Sequence, residues 1–248
     1  MAFSICIDAI FQNMDSIEAL DQVKAAGFDV FEFWHWHKKN LDALAKKAAD
    51  LSLKCSGFCT TFFNLTNPAQ RDAFLSGIKE SIVAAKKMGA QFLITQSGPD
   101  TGEATLFQEK SIIVGLKAAA PLLEEAGIDL LIEPLNARVD HPGIFLQSSD
   151  EGFEILSCVG SPNIKMLFDI YHQQITEGDI IHRVTSNIDK IGHFHCADNP
   201  GRHELDSGEL NYKRIFNAIN SLGYKGHLGI EYFPAKPAVE GLKWLHGL

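Results

Sequence analysis

Eight short apolar runs recur along the chain, at 3–7, 29–34, 54–59, 91–97, 129–134, 164–169, 190–196 and 227–232. Their length and their content of Ile, Leu, Val and Phe are those of buried strands. Between them, apolar residues fall three and four apart, which predicts helices over 15–26, 40–51, 68–89, 103–126, 150–159, 177–188, 211–222 and 237–246. Several of these close on a glycine shortly before the next run, as in KAAGFDVFEF, KKMGAQFLI, EEAGIDLLI and SLGYKGHLGI. A glycine there takes the left-handed conformation that ends a helix. Repeating βα units with short turns imply a parallel sheet with helices outside. Eight such units predict an α/β fold closed as a (β/α)8 TIM barrel; an open doubly wound sheet would favour fewer strands and a glycine-rich first turn, which is missing. No linker or low-complexity stretch interrupts the series, so residues 1–248 read as a single domain.

Composition narrows the class. The chain has 248 residues and 46% hydrophobic content, enough for one large core. No stretch approaches the ~20 apolar residues of a membrane span. The opening MAFSICIDAIF lacks a basic region and a cleavage site, so it reads as a mature first strand. Net charge is −9 with no block of Lys and Arg, which argues against a nucleic-acid partner. The five cysteines (Cys6, Cys55, Cys59, Cys158 and Cys196) are odd in number and lack CxxC spacing. That pattern predicts reduced thiols in a cytoplasmic protein. Cys55 and Cys59 are placed on one face of the third strand, as small buried side chains.

Four polar residues carry the chemistry. Glu133, Asp169, His195 and Glu231 each lie at or near the end of an apolar run, in DLLIEP, KMLFDIYH, IGHFHCAD and HLGIEYF. Their separations are 36, 26 and 36 residues, close to the roughly 30 residues of one βα unit. Three carboxylates brought together repel unless a cation or a proton neutralises them. Three oxygen donors and one imidazole suit a single divalent metal. His193 and His195 are two apart and share a strand face; His195, nearer the mouth, is taken as the ligand and His193 as a hydrogen-bonded barrel residue.

Secondary candidates surround this set. In PGRHE, Arg202 offers forked donors to an anionic oxygen, and His203 is either a loop residue or part of the site. His172, three after Asp169, reads either as a donor to substrate or as a helix-start histidine in water. Trp34, His35, Trp36 and His37 follow the second strand and form a candidate substrate wall. Glu32 either assists the metal or pairs with a barrel neighbour, and Gln96 ends the fourth strand. The longest irregular segment, 197–211, is a candidate functional loop. Trp36 and Trp244 are candidate contacts for a homo-oligomer. GxSxG, GxxxxGK[ST] and HExxH are all absent.

The segments LIEPLNARVDHPGIFL, FDIYHQQITEGD, IGHFHCADNPGRHELDSGELNY and GYKGHLGIEYFP resemble the sugar isomerase and epimerase barrels related to xylose isomerase and endonuclease IV. The likeness is to the hydroxypyruvate isomerase branch in particular, which includes 2-oxo-tetronate isomerases, and it covers nearly the whole chain. It implies that Glu133, Asp169, His195 and Glu231 bind Mn²⁺, Mg²⁺ or Co²⁺. It implies further that the two glutamates exchange protons with a small sugar or sugar-acid substrate while His172 and Arg202 hold its oxygens. Hydroxypyruvate isomerases often carry glutamine at the position of His195, whereas ketose 3-epimerases carry histidine, which makes epimerisation the alternative. An endonuclease IV-like nuclease would need histidines at the ends of strands three and four, where this chain has Cys59-Thr60-Thr61 and Thr95-Gln96-Ser97.

Overall fold

The structure, a computed structural model, describes residues 2–247. Eight parallel strands form a closed barrel in chain order: β1 (Ala2–Cys6), β2 (Val30–His35), β3 (Lys54–Cys59), β4 (Phe92–Thr95), β5 (Asp129–Ile132), β6 (Ile164–Asp169), β7 (Ile191–Cys196) and β8 (His227–Ile230). β8 pairs with β1 and closes the ring. The helices are α1 (Ile7–Ile10), α2 (Ser16–Ala25), α3 (Leu41–Asp50), α4 (Arg71–Met88), α5 (Thr105–Ala126), α6 (Ser149–Val159), α7 (Ile170–Thr176), α8 (Ile180–Asn187), α9 (Tyr212–Ser221) and α10 (Ala238–Leu242). The expected barrel is therefore present, and no helix among the described residues is long and apolar enough to cross a membrane.

Two hydrophobic clusters follow from the alternation of side chains along each strand. A large outer one joins the sheet to the helices, with Leu116, Leu123, Phe153 and Phe216 from the helical side. A small inner one, made of Cys59, Phe92, Ile94, Leu131 and Leu167, fills the barrel, with Trp34 packed against it. Leu131 and Leu167 lie two residues before Glu133 and Asp169. The apolar plug and the acidic groups thus project from the same inner face in successive layers.

The sequence reading needs four corrections. Cys55 packs in the outer cluster and Cys59 in the inner one, so they do not share a face. The register between β2 and β3 slips from Phe31↔Cys55 to Phe33↔Phe58, one extra residue in β3, and such a bulge reverses which face later residues occupy. The helix expected over 177–188 begins at Ile180, and a separate helix, α7, starts directly at the end of β6. There the Asp169 carboxylate caps α7 by accepting the His172 N–H at 3.0 Å. Trp36 and Trp244, read as exposed, pack instead against the outer core. His37 stays at the surface, so of this stretch only Trp34 and His35, the last residues of β2, line the cavity at the mouth.

Gly57 lies beside Phe92 in the β3–β4 register, and a methyl group there would overlap the Phe92 ring. Gly57→Ala should cost ~1–3 kcal/mol by overpacking, read as a lower urea midpoint at unchanged slope. Wild-type stability in that variant would show that the inner plug is loosely packed.

Candidate active site

All four residues singled out from strand ends meet at the mouth of the barrel. One donor atom from each of Glu133, Asp169, His195 and Glu231 lies within 4.8 Å of the others, and all four residues are buried. Asp169 and His195 are the last inward residues of β6 and β7 and sit opposite each other in the register. Glu133 and Glu231 follow the final residues of β5 and β8, but their backbone N–H groups still bond to neighbouring strands, at Thr95 O and Cys196 O, both 3.0 Å. Main-chain pairing thus places each carboxylate before any ligand binds.

The surroundings compensate the concentrated negative charge. Glu231 accepts a hydrogen bond from Trp34 Nε1 at 2.6 Å and one from Arg202 Nη2. Arg202 Nη2 also lies 3.8 Å from Asp169 Oδ2, and the guanidinium sits over the rings of Tyr171 and Phe233. His195 Nδ1 is 3.3 Å from Glu231 and 3.5 Å from Glu133. Burial alone would raise Glu231, yet His195 and Arg202 pull its carboxyl well below the usual range. Burial alone would likewise lower His195, but the carboxylates of Glu231 and Glu32 hold it well above its ordinary value. Burial pushes Asp169 upward, with Glu231 adding to the shift and Arg202 opposing it.

Beneath this layer Glu32 joins β2 to β7. Its carboxylate accepts from His193 Nε2 at 3.0 Å and from Ser56 Oγ at 3.2 Å. It also lies 2.8 Å from His195 Nε2, an ion-pair distance. Burial would raise Glu32, whereas His193 and His195 bring it down to about 2. Gly229 leaves room for this group, since a Cβ there would come within 2.6 Å of Glu32 Oε1, 2.6 Å of His195 Cδ2 and 2.7 Å of His193 Nε2. Of the two readings of Glu32, pairing with barrel neighbours is the one the structure shows.

A cavity of about 370 Å³ opens above the cluster. Trp34, His35, Gln96, His172 and Arg202 all line it, as do Glu133 and Glu231. His172 is wholly buried, against its reading as a solvated helix-start residue. His203 turns away to Phe233 O at 2.7 Å. Arg202 has a left-handed backbone (φ 57°), rare for a residue with a side chain. The 197–211 loop holds it there: Phe233 N donates to Arg202 O at 2.7 Å, and Glu204 accepts from Ala235 N and Lys236 N. Sequence reading missed Cys59, Phe62, Leu135, Asp140, His141 and Phe233 in the wall. The segment EPLNARVDH, which supplies three of these, was visible as a motif but carried no recognisable ligand spacing.

The donor set fits a divalent cation. Three carboxylates and one imidazole face one point, and His195 Nδ1 is a buried nitrogen without a hydrogen-bond partner.

Comparison with known proteins agrees with this architecture. The description "Xylose isomerase-like TIM barrel" matches residues 20–248. The chain belongs to that family. Within it, the chain is 29% identical to hydroxypyruvate isomerase of Escherichia coli, over 99% of this chain and 98% of that protein. It is 45% identical to 2-oxo-tetronate isomerase of Cupriavidus necator over 52% of this chain and 50% of that protein. Among solved structures, AP endonuclease, family 2 from Brucella melitensis superposes with a TM-score of 0.95 at 27% identity, covering 99% and 98% of the two chains. This xylose isomerase-like barrel is an isomerase of the type its curated relatives represent.

Glu32 has a lower pKa in the folded chain than in the unfolded one, so its pairing stabilises fully above about pH 4.5 and fades as pH falls toward 2. In metal-free protein, Glu32→Gln should cost ~3–5 kcal/mol at neutral pH. Urea titrations should show that gap narrowing across this acidic window. A gap independent of pH would contradict the pairing.

Proposed function

We propose that the chain is a metal-dependent isomerase that moves a carbonyl between adjacent carbons of hydroxypyruvate or a 2-oxo-tetronate by way of an enediolate. The observation that carries the reading is the convergence of Glu133, Asp169, His195 and Glu231 on one point at the floor of a small-molecule cavity. The names of the curated relatives support the substrate class. Mn²⁺, Mg²⁺ and Co²⁺ all suit this mixture of oxygen and nitrogen donors. Five free cysteines, four of them buried, support a cytoplasmic setting.

Deprotonation beside a carbonyl is slow in water because the enediolate is unstable. Glu133, Asp169, His195 and Glu231 would hold a divalent cation, which when bound would supply Lewis-acid stabilisation of that charge. The chain's own groups do the rest. Glu133 opens on the cavity, with His195 Nδ1 at 3.5 Å, and is placed to accept the proton from the carbon beside the carbonyl. Glu231, steadied by Trp34 and Arg202, is the second carboxylate for returning a proton to the neighbouring carbon. His172 Nε2 and Arg202 Nε are buried at the site without partners and are available to substrate oxygens. Trp34, Phe62 and Phe233 wall the cavity with apolar surface that keeps water from the reacting carbons.

Ketose 3-epimerisation is the second reading, favoured by the histidine at position 195. It uses the same two carboxylates on a different carbon. A nuclease, as the Brucella relative is named, is disfavoured here because strands three and four end near Cys59 and Gln96, which supply no further imidazole to the cluster.

General acid–base groups contribute ~10²–10⁴-fold, so Glu133→Gln and Glu231→Gln should each lose at least that in kcat on hydroxypyruvate or a 2-oxo-tetronate with Mn²⁺. Wild-type enzyme in D₂O should place deuterium beside the carbonyl. Near-full turnover in either variant would remove that glutamate from the mechanism. Absence of exchange with every short hydroxy-carbonyl compound would exclude the enediolate.

A further inference from the structure

Asn136, three residues after Glu133, is wholly buried. Its hydrogen bonds can be accounted for atom by atom. Oδ1 accepts the backbone N–H of Val139 at 3.0 Å and that of Asp140 at 3.2 Å. Two main-chain donors on one atom identify it as the oxygen, because an amide NH₂ has no acceptor capacity. The other end is therefore the NH₂ group. One of its hydrogens goes to Asp140 Oδ2 at 2.7 Å, an oxygen that also accepts from Tyr171 OH at 2.9 Å. The second points at His172 Nδ1, 2.6 Å away.

A donor aimed at Nδ1 needs a lone pair there. A neutral imidazole carries one N–H, so the hydrogen of His172 must sit on Nε2. That nitrogen is buried without a hydrogen bond, its nearest charged neighbour being Asp169 Oδ2 at 3.5 Å, and the residue lines the cavity over the acidic cluster. We propose that Asn136 is a positioning residue that locks His172 in the Nε2–H tautomer, so that the imidazole meets the substrate as a hydrogen-bond donor and not as a proton acceptor. The oxygen facing His172 must then be an acceptor, such as a carbonyl or an enediolate oxygen. The lock also removes His172 as a competing base and leaves proton removal to the glutamates. Val139 N, Asp140 and Tyr171 act through Asn136, since together they fix which way its amide points.

This inference rests on the reading that His172 faces the substrate, but its test is independent of turnover. Protein labelled with ¹⁵N-histidine and loaded with Mg²⁺, which is diamagnetic, is observed by long-range ¹H–¹⁵N correlation, and the His172 signals are assigned by their loss in His172→Gln. The expected wild-type pattern is a bare Nδ1 and a protonated Nε2 without substrate present. In Asn136→Asp a carboxylate oxygen replaces the NH₂ group and should draw the proton onto Nδ1. The same variant should lose about 10–100-fold in kcat/KM, the effect of one hydrogen bond to the reacting substrate. A wild-type His172 protonated on Nδ1 would overturn the proposal, and so would Asn136→Asp keeping the wild-type tautomer. The wild-type spectrum decides by itself if Asn136→Asp does not fold. The expected spectra in a protein inactive on every hydroxy-carbonyl compound would sustain the lock and remove the isomerase reading instead.

Discussion

Three carboxylates held together in a buried place repel one another and lose their hydration, and the upper half of this barrel is organised around relieving that cost. Glu133, Asp169 and Glu231 stand at the ends of three different strands, tied by main-chain hydrogen bonds, so no local rearrangement can separate them without disturbing the sheet. Relief comes from Arg202, wedged against Glu231 between two aromatic rings, and from His195, whose ring lies between Glu231 and Glu32. The Arg202 guanidinium and the His195 ring offset the charge only in part. Asp169 is still pushed upward by burial and by Glu231. A site with surplus negative charge and an unpartnered imidazole nitrogen is prepared for a divalent ion.

The layers below give that site its rigidity. Phe92, Leu131 and Leu167 plug the barrel, and the ring of His193 rests on Phe92 at 4.5 Å between centroids. Glu32 then joins His193 to His195, in space that Gly229 leaves open. Above the cluster, loops replace strands as the positioning elements. The 197–211 loop keeps Arg202 in a conformation it would seldom adopt alone, and the segment after β5 aims Asn136 at His172. Glu231, Arg202 and His172 thus each have a partner that sets their direction, the kind of preorganisation that catalysis requires.

Much of this was legible in the sequence, and the reason is periodicity. Strand-length apolar runs ending in Glu133, Asp169, His195 and Glu231 repeat at the spacing of βα units, and parallel strands of a barrel deliver such residues to one mouth. The bulge in β3 was not legible. It adds one residue without any change of composition, and it sends Cys55 and Cys59 to opposite faces. The short helix α7 escaped because its cap, Asp169, was already read as a ligand, whereas its Oδ1 accepts the His172 N–H. Trp36 resembled its neighbours Trp34 and His35 in type, but a turn after β2 sends it to the outer core. Asn136 carried no signal at all, since an asparagine that orders a histidine is defined only by hydrogen-bond geometry.

The most direct test is a crystal structure of the protein grown with Mn²⁺, with data collected to locate the ion by its anomalous scattering. The account predicts one strong peak, bound by oxygens of Glu133, Asp169 and Glu231 and by Nδ1 of His195, at the floor of the cavity. A peak elsewhere, or an empty cluster at saturating Mn²⁺, would contradict it.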